Sequence, residues 1–214
     1  EKSIEVNNQK NITFLSIDEQ LDLGFDFTKK CPMNTYTRKN IGYLYAIRAG
    51  ADIIYETDDD NSPYDYWSEL DFISDLVIDS NEPFINIYDY YTDQFVWPRG
   101  LPLEYILGQD KVKAIGGDRK EIGVIQGLAD LEPDVDAIYR LVINKQITFE
   151  KRDRTLYLKP NTYTPFNSQN TFWNVKAFPF LYLPVRVRFR VCDILRSYIA
   201  QRLMWAFNLH LGFS

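Results

Sequence analysis

The residues most suited to chemistry are three consecutive aspartates, Asp58, Asp59 and Asp60. They directly follow residues 51–57, a short β-branched and aromatic segment that predicts a buried strand. Because successive side chains of an extended chain point to opposite faces, Asp58 and Asp60 should share one face while Asp59 points away. Two carboxylates on one face suit a hard divalent cation, Mg²⁺ or Mn²⁺, and a solvated acidic turn is the alternative.

A cation at this position would neutralise a bound diphosphate and stabilise it as a leaving group. The helix predicted at residues 38–49 begins with Arg38 and Lys39, although cations are mildly disfavoured at a helix N-terminus. A nearby anionic ligand would remove that conflict, and the backbone N–H groups of a helix N-terminus also bind phosphates. The alternative to a bound anion is that Arg38 and Lys39 are simply solvated at the surface. Phosphotransferases and nucleases use similar aspartates, so the reaction stays open at this point.

A further candidate, Asp193, begins the long helix predicted at residues 193–208, with Arg196 one turn later. The apolar stripe that should face the core comprises Leu195, Ile199, Leu203 and Ala206, widened by Ile194, Tyr198 and Trp205. An aspartate at this position either caps the helix or acts as a base or electrostatic stabiliser. Asp134 and Asp136 lie at the start of another predicted helix. They have the same two possible roles, helix cap or catalytic carboxylate, with weaker support for the second.

The elements that must position these residues alternate between strand and helix. The patterns predict a strand at residues 12–16, a helix at 38–49 capped by Thr37, a strand at 51–57, an extended aromatic stretch at 83–91, a short helix at 103–107, a strand at 122–126, a helix at 134–142, a hairpin or paired strands at 145–158 and a helix at 193–208. This alternation favours an α/β fold, in which ligands bind at the carboxyl ends of the strands.

Composition disfavours several classes of function. The 214 residues suffice for a sizeable core, and we expect residues 1–214 to form a single catalytic domain. The net charge of −6 disfavours nucleic acid as a partner. A catalytic triad or a multi-histidine zinc site would depend on the single histidine, His210, which we expect to be partly exposed. Carboxylates must therefore carry any metal or base role.

Cysteine usage and apolar patterning bear on the compartment. Cys31 and Cys192 form neither a metal-spaced pair nor a disulfide framework, which favours a reducing compartment. No apolar run approaches the roughly 20 residues that span a bilayer. Residues 1–11 are too polar for a signal peptide. We therefore expect a cytoplasmic protein with no membrane segment in this chain.

A series of blocks, in order along the chain, resembles the STELLO-type glycosyltransferases. The blocks lie at residues 36–51, 53–60, 97–104, 126–136, 165–171, 183–185 and 193–205. The chain also resembles the capsid-glycosylating glycosyltransferases of large algal (chlorella) viruses. The resemblance implies a GT-A fold, in which a mixed central α/β sheet is flanked by helices and an Asp-x-Asp motif holds Mn²⁺ (or Mg²⁺) and a UDP-sugar.

The resemblance also implies roles for particular residues. Asp58 and Asp60 would bind the metal, and Asp193 would be the catalytic residue near the acceptor. The donor-binding residues would be Arg38, Asp58, Asp59 and Asp60. The acceptor-binding residues would be Trp97, Arg99 and Asp134. Trp97 and Trp173, which lie in loop-like stretches, are the tryptophans expected to stack on sugar rings.

The leading hypothesis is a metal-dependent hexosyltransferase that moves a hexose or deoxyhexose (glucose- or rhamnose-like) from a UDP-sugar to a glycan or glycoprotein acceptor, with a viral capsid protein as one candidate. A nucleotidyl- or phosphotransferase that uses the same aspartates is one alternative. A catalytically silent scaffold is another, because the polar residues before Ile12 do not predict the first strand with which GT-A enzymes hold the nucleobase.

Overall fold

The computed structural model describes residues 12–68, 70–107, 111–143 and 145–214. The expectation that residues 1–11 are not a signal peptide lies outside the described residues. The α-helices in the described ranges are α1 (Ile17–Asp22), α2 (Asp26–Lys30), α3 (Lys39–Arg48), α4 (Tyr88–Tyr91), α5 (Ala137–Val142) and α6 (Phe189–Ala206). The strands are β1 (Ile53–Thr57), β2 (Ile73–Asp79), β3 (Lys113–Gln126), β4 (Leu156–Tyr157), β5 (Asn170–Asn174) and β6 (His210–Phe213). Short 3₁₀ helices occur at Tyr36–Arg38, Leu103–Tyr105 and Val175–Phe180.

The strands form one mixed sheet in the order β1-β5-β3-β2-β4-β6. β1 lies at one edge and is antiparallel to β5, which is antiparallel to β3. β6 runs parallel to β3 and antiparallel to β4, while β2 pairs with both β3 and β4. The strands β2, β3, β6 and β4 therefore form a closed ring of pairings. The predicted α/β class with a mixed sheet is confirmed, and the GT-A assignment stays a prediction.

The buried apolar side chains form two clusters on the sheet. The larger cluster joins the sheet to α3, α5 and α6, and it includes Trp173 of β5 and Met204 of α6, both fully buried. The smaller cluster draws on β2, β3, β4 and β5. Among the described residues, no helix is both long and apolar enough to cross a membrane. Cys31 and Cys192 are buried free thiols, as the absence of a disulfide framework predicts.

Three of the predicted elements are wrong. Residues 12–16 form no strand, because the Ser16 hydroxyl and the Glu19 carboxylate cap α1 in a reciprocal capping box. Residues 83–91 are not uniformly extended, since they include α4. Residues 145–158 form no hairpin in their described part: β4 pairs with β2 and β6, and Ile147 bridges to Leu131.

The predicted orientation of the last helix is also wrong. α6 begins at Phe189 rather than at Asp193. Three members of the predicted core stripe, Leu195, Ile199 and Leu203, are exposed by 37%, 49% and 44%. The face that packs on the protein is instead half polar: its buried members are Asp193, Arg196, Ser197 and Gln201 together with Cys192, Ile194, Ala200 and Met204. This inversion occurs because the inner face of α6 covers a polar site.

His210, which was expected to be partly exposed, is buried in β6. Its exposed fraction is 3%, and its Nδ1 lies 3.0 Å from the Leu158 carbonyl oxygen. Burial lowers the pKa of this imidazole, which favours the neutral ring. The expectation failed because strand pairing extends to Phe213, five residues beyond the end of the predicted helix.

Burial of Asp89 on α4 leads to a testable pH dependence. Burial raises the pKa of this carboxyl to about 6, with Lys111 opposing the shift. Between an ordinary value of about 3.9 and that value, the folded state binds more protons than the unfolded state. The free energy of unfolding should therefore fall as pH rises through this window. Asp89→Asn should remove this loss and raise the melting temperature at pH 7 more than at pH 4, as calorimetry would measure.

The neighbouring Asp93 provides the control for that measurement. Its carboxyl is exposed, and its hydrogen bond with Lys111 lowers its pKa, so the shift has the opposite sign. Asp93→Asn should therefore give no gain in melting temperature at pH 7. An equal effect of Asp89→Asn at pH 4 and pH 7 would contradict the proposed destabilisation by the ionised carboxylate.

Candidate functional site

A cavity of about 670 Å³ lies between the carboxyl end of β1, the segment before β5 and the first turns of α6. We call it the central cavity. Four of the residues singled out from the sequence line it: Asp58, Arg99, Asp134 and Asp193. The fold therefore brings together side chains that are up to 135 positions apart in the sequence. A space of this size is within the usual range for small-ligand sites.

Pairing between β1 and β5 sets the position of the aspartates. Thr57 is registered with Asn170, so the turn after β1 meets the segment before β5. The Asn61 side-chain amide donates to the Gln169 carbonyl oxygen at 2.5 Å and to the Thr57 hydroxyl at 3.1 Å. We call residues 58–61 the carboxylate turn. Its geometry is thus fixed by side-chain as well as backbone contacts.

Asp58 is the member of the carboxylate turn that lines the central cavity. Its Oδ1 lies 3.3 Å from Lys39 Nζ and accepts a hydrogen bond from the Tyr36 hydroxyl at 3.5 Å. Lys39 also donates to that hydroxyl at 2.9 Å. Partial burial raises the pKa of Asp58, whereas Lys39 lowers it and the Asp60 carboxylate raises it further. A cation, an anion and a phenol thus meet at the rim of the cavity.

Asp59 and Asp60 are both exposed and do not line the central cavity. The strand ends at Thr57, and Asp59 and Asp60 lie in a turn. The strict alternation of a strand therefore does not extend to them, and it gives no reason for Asp58 and Asp60 to share a face. The segment itself is confirmed as a strand, but β1 is an edge strand in which Ile54 and Glu56 are the buried residues.

Arg38 does not line the central cavity. Its guanidinium donates to the Gln20 side-chain oxygen at 2.9 Å from Nε and to the Cys31 carbonyl oxygen at 3.2 Å. It therefore holds the segment that contains α1 and α2. The predicted Thr37 cap is also wrong: the Thr35 hydroxyl caps the 3₁₀ helix that precedes α3. Lys39, which the sequence placed beside Arg38, is the cation that contacts Asp58.

Arg99 joins the two carboxylates on the opposite side of the cavity. Its Nε donates to Asp134 Oδ1 at 2.8 Å, and its Nη2 donates to Asp134 Oδ2 at 2.6 Å and to Asp193 Oδ2 at 2.7 Å. Nη1 adds a bond of 3.1 Å to Asp193 Oδ1. Burial lowers the pKa of Arg99, but its hydrogen bonds to both carboxylates and their charges outweigh this effect and raise the pKa overall. The planar guanidinium thus fixes both carboxylates.

Gly100 shapes the loop that presents Arg99. Its φ of +90° lies in the left-handed region, and an added Cβ would come within 2.4 Å of Ile194 Cγ2. The Gly100 carbonyl oxygen also accepts a hydrogen bond from the Tyr198 hydroxyl at 2.9 Å. The loop therefore packs closely against α6, and this packing holds Arg99 beside Asp193.

A buried ion pair that sequence reasoning missed lies beneath the carboxylate turn. Arg196 Nη2 is 2.5 Å from Glu56 Oε1, and the two side chains are only 1% and 2% exposed. Glu56 also accepts hydrogen bonds from the Tyr43 hydroxyl and from Trp173 Nε1. Arg196 donates to the Ser168 hydroxyl at 2.7 Å. The pair therefore ties β1 to α6 two residues before Asp58.

One sequence signal could have revealed this pair. In residues 53–57, strand alternation places Glu56 on the same face as Ile54, and a carboxylate on an inner face needs a charged or hydrogen-bonding partner. The partner, Arg196, comes from a helix whose inner face was misassigned. Burial lowers the pKa of Arg196, but the charge of Glu56, together with Tyr43 and the hydrogen bonds to both groups, outweighs it and raises that pKa overall.

Neither predicted sugar-stacking tryptophan is available to a ligand. Trp97 is 5% exposed and packs edge-on against Tyr139, and Trp173 is fully buried. Trp97 belongs to the loop that precedes Arg99, and the acceptor-binding role of Arg99 and Asp134 stays a prediction. Large aromatic side chains in loop-like sequence are frequently core residues, because they bury 150–250 Å² each.

The described residues contain no group of three or more histidine, cysteine, aspartate or glutamate side chains that could hold a metal ion. The carboxylate turn offers the oxygen atoms of Asp58, which is half-exposed and lines the central cavity, and those of the exposed Asp59 and Asp60 beside it. This donor set fits an ion that the protein shares with a bound phosphate group, and it does not fit one held by protein ligands alone.

The chain is distantly homologous to proteins described as probable glycosyltransferases. It is 33% identical over 218 residues to the Arabidopsis thaliana protein named "Probable glycosyltransferase STELLO1". It is 31% identical over 220 residues to "Probable glycosyltransferase STELLO2" of the same plant. The aligned region covers 92% of this chain but 28% of each relative, so the chain spans less than a third of their length.

No protein-family model matches the sequence. The predicted resemblance to STELLO-type proteins is confirmed as distant homology. The resemblance to the enzymes of algal viruses stays a prediction.

Proposed function

We propose that this chain is a metal-dependent glycosyltransferase domain that transfers a hexose or deoxyhexose from a UDP-sugar to a glycan or glycoprotein. The observation that carries the proposal is the central cavity, whose lining includes Asp58, which contacts Lys39, and the Arg99–Asp134–Asp193 group. Distant homology to the STELLO proteins supports the class of reaction. The GT-A fold and the hexosyl class are part of this proposal.

On the donor side, Asp58 and Asp60 would hold Mn²⁺ (or Mg²⁺), which when bound neutralises the diphosphate of the leaving group. Lys39 Nζ lies 3.3 Å from Asp58 and also donates to the Tyr36 hydroxyl and the Ser168 carbonyl oxygen. Its charge would attract a phosphate group beside Asp58, and a direct bond to that group would replace one of these contacts. Burial lowers the pKa of Lys39, but Glu56, Tyr36 and Asp58 outweigh it and raise the pKa overall, so the ammonium form is favoured. We therefore assign to Lys39 the role that the sequence suggested for Arg38.

On the acceptor side, Asp193 would accept a hydrogen bond from the acceptor hydroxyl, with Asp134 beside it. Arg99 donates to both carboxylates and is a positioning residue in this scheme. The side chain of Asp193 is only 8% exposed, so its carboxylate can be reached only from the cavity.

The proposal is tested by Asp58→Asn, which removes the charge and preserves the size of the side chain. Titration calorimetry with UDP and Mn²⁺ should show at least a tenfold weaker affinity, because a hard cation loses a carboxylate ligand. Release of UDP from a UDP-sugar should fall in parallel. The matched control is Asp52→Asn, which alters an exposed aspartate just before β1, at the end of the strand away from the carboxylate turn, and should leave both quantities unchanged.

Two outcomes would contradict the proposal. Absence of heat from UDP and Mn²⁺ with the unaltered chain would favour a silent scaffold. Release of pyrophosphate or phosphate in place of UDP would favour a nucleotidyl- or phosphotransferase.

A further inference from the structure

A second cavity, of about 750 Å³, lies beside the loop that follows the carboxylate turn. We call it the aromatic groove and define it by Tyr64, Tyr66 and Trp67 from that loop and Phe172 from β5. None of these four residues lines the central cavity. The groove is therefore separate from the residues to which donor and acceptor roles were assigned above.

The aromatic side chains of the loop are unusually exposed for their size. Tyr64 is 50%, Tyr66 57% and Trp67 44% exposed. They are nevertheless ordered in two stacks: the centroids of Tyr64 and Tyr66 are 5.1 Å apart, and those of Trp67 and Phe172 are 5.8 Å apart. Exposed rings that are held in place by stacking offer a ligand preformed apolar surfaces at little entropic cost.

The walls of the groove are polar, and their charges are largely paired. Arg152 lies 2.6 Å from Glu150, and Arg154 forms an ion pair with Asp75. Neither sign of charge dominates the lining, which disfavours a polyanionic or polycationic ligand. An apolar protein surface would leave these charged groups without solvent or hydrogen-bond partners. A neutral ligand with many hydroxyl groups suits both the rings and the walls.

Two polar groups that line the groove lack partners. The Tyr91 side chain is 1% exposed, and its hydroxyl has no hydrogen-bond partner among the described residues. The side-chain oxygen of Asn170 is also buried without one in the part of the chain that the structure describes. Buried polar groups are normally satisfied. A ligand hydroxyl at the base of the groove would supply a partner.

One short segment connects the groove with the central cavity. The Tyr64 hydroxyl donates to Asp130 Oδ2 at 2.9 Å, and Asp130 lines the groove. Glu132, two residues later, lines the central cavity, and its carbonyl oxygen accepts from the Gln169 amide at 3.0 Å. The two cavities thus flank the same segment, so a chain-like ligand in the groove would lie close to the reacting centre.

We propose that the aromatic groove binds a neutral oligosaccharide, the glycan acceptor, with sugar rings stacked on Tyr64 and Trp67. The C–H bonds of a pyranose face carry partial positive charge and pack on the negative face of an aromatic ring. Its hydroxyl groups reach the carboxylate and guanidinium groups of the walls. The acceptor role rests on the proposed function, whereas oligosaccharide binding does not.

The test is titration of the chain with neutral hexasaccharides of glucose, mannose and galactose, without UDP or Mn²⁺. At least one should bind, and Trp67→Ala should weaken that binding about tenfold, the value of one stacked ring. Trp67→Phe should restore most of the affinity because it keeps a ring. The matched control is Tyr182→Ala, which removes an equally exposed ring outside the groove and should leave affinity unchanged.

The results separate this inference from the proposed function. Binding of no hexasaccharide, or equal binding by Trp67→Ala and the unaltered chain, overturns the groove as a glycan site even if UDP and Mn²⁺ bind. Binding that Trp67→Ala weakens upholds the groove even if UDP and Mn²⁺ give no heat. Unchanged melting temperatures of the variants ensure that a lost affinity reflects the groove and not the fold.

Discussion

Arg196→Met should lower the free energy of unfolding by about 3–5 kcal/mol, because it leaves the Glu56 carboxylate buried without its charged partner. The Glu56 and Arg196 side chains are only 1–2% exposed, so water cannot replace the lost interaction. Glu56 would keep its bonds to Tyr43 and Trp173, which limits the loss. Urea denaturation of the variant and the unaltered chain measures the difference.

Two further variants make this prediction specific to the ion pair. Glu56→Gln combined with Arg196→Met should recover a large part of the lost stability, because no buried charge then remains unpaired. Arg202→Met changes an exposed arginine of the same helix and should shift stability by less than about 0.5 kcal/mol. A loss below about 1 kcal/mol for Arg196→Met would contradict the burial of this pair.

Arg99→Met should reduce turnover of a UDP-sugar by about a hundredfold, because Asp134 and Asp193 lose the group that positions them. The affinity for UDP with Mn²⁺ should change little, since Arg99 contacts neither Asp58 nor Lys39. Arg99→Lys should restore only part of the activity, because one ammonium group cannot donate in a planar fork to two carboxylates. Steady-state kinetics combined with UDP titration separates kcat from donor binding.

A second arginine of the central cavity provides the control for Arg99. Arg140 lines the cavity but pairs with Glu132 at 2.7 Å, away from Asp134 and Asp193. Arg140→Met should therefore cost much less activity than Arg99→Met. Equal losses in the two variants, or full activity of Arg99→Lys, would show that the planar guanidinium between Asp134 and Asp193 has no special role.

The arrangement of the elements that lead to Asp58 could be predicted because its sequence signals are local. The helix before β1, β1 itself and Asp58 follow one another within about twenty residues, and the structure has them in that order. Local sequence did not indicate which of the two cations, Arg38 or Lys39, contacts Asp58. The answer depended on α1 and α2, whose side chains and carbonyl groups engage Arg38.

The orientation of α6, which carries Asp193, was predicted less well. Periodicity assumes that the apolar face of a helix points inward. In α6 the opposite holds, since Asp193 and Arg196 are paired with Arg99 and Glu56 from distant segments. A polar inner face can be recognised only when its partners are known. The same limit applies to the aromatic residues, since Trp97 is core and Trp67 is exposed although both follow turn-like sequence.

The ring of strand pairings has a consequence for how the polypeptide folds during synthesis. β6 supplies the pairings to β3 and β4 that close the ring, and β6 comprises residues 210–213. A ribosome makes a chain from its N-terminus, at about 5–20 residues per second. β3 and β4 therefore keep unpaired edges until residues 210–213 emerge from the ribosome. We expect the nascent sheet to depend on chaperones over this interval, because exposed edges favour aggregation.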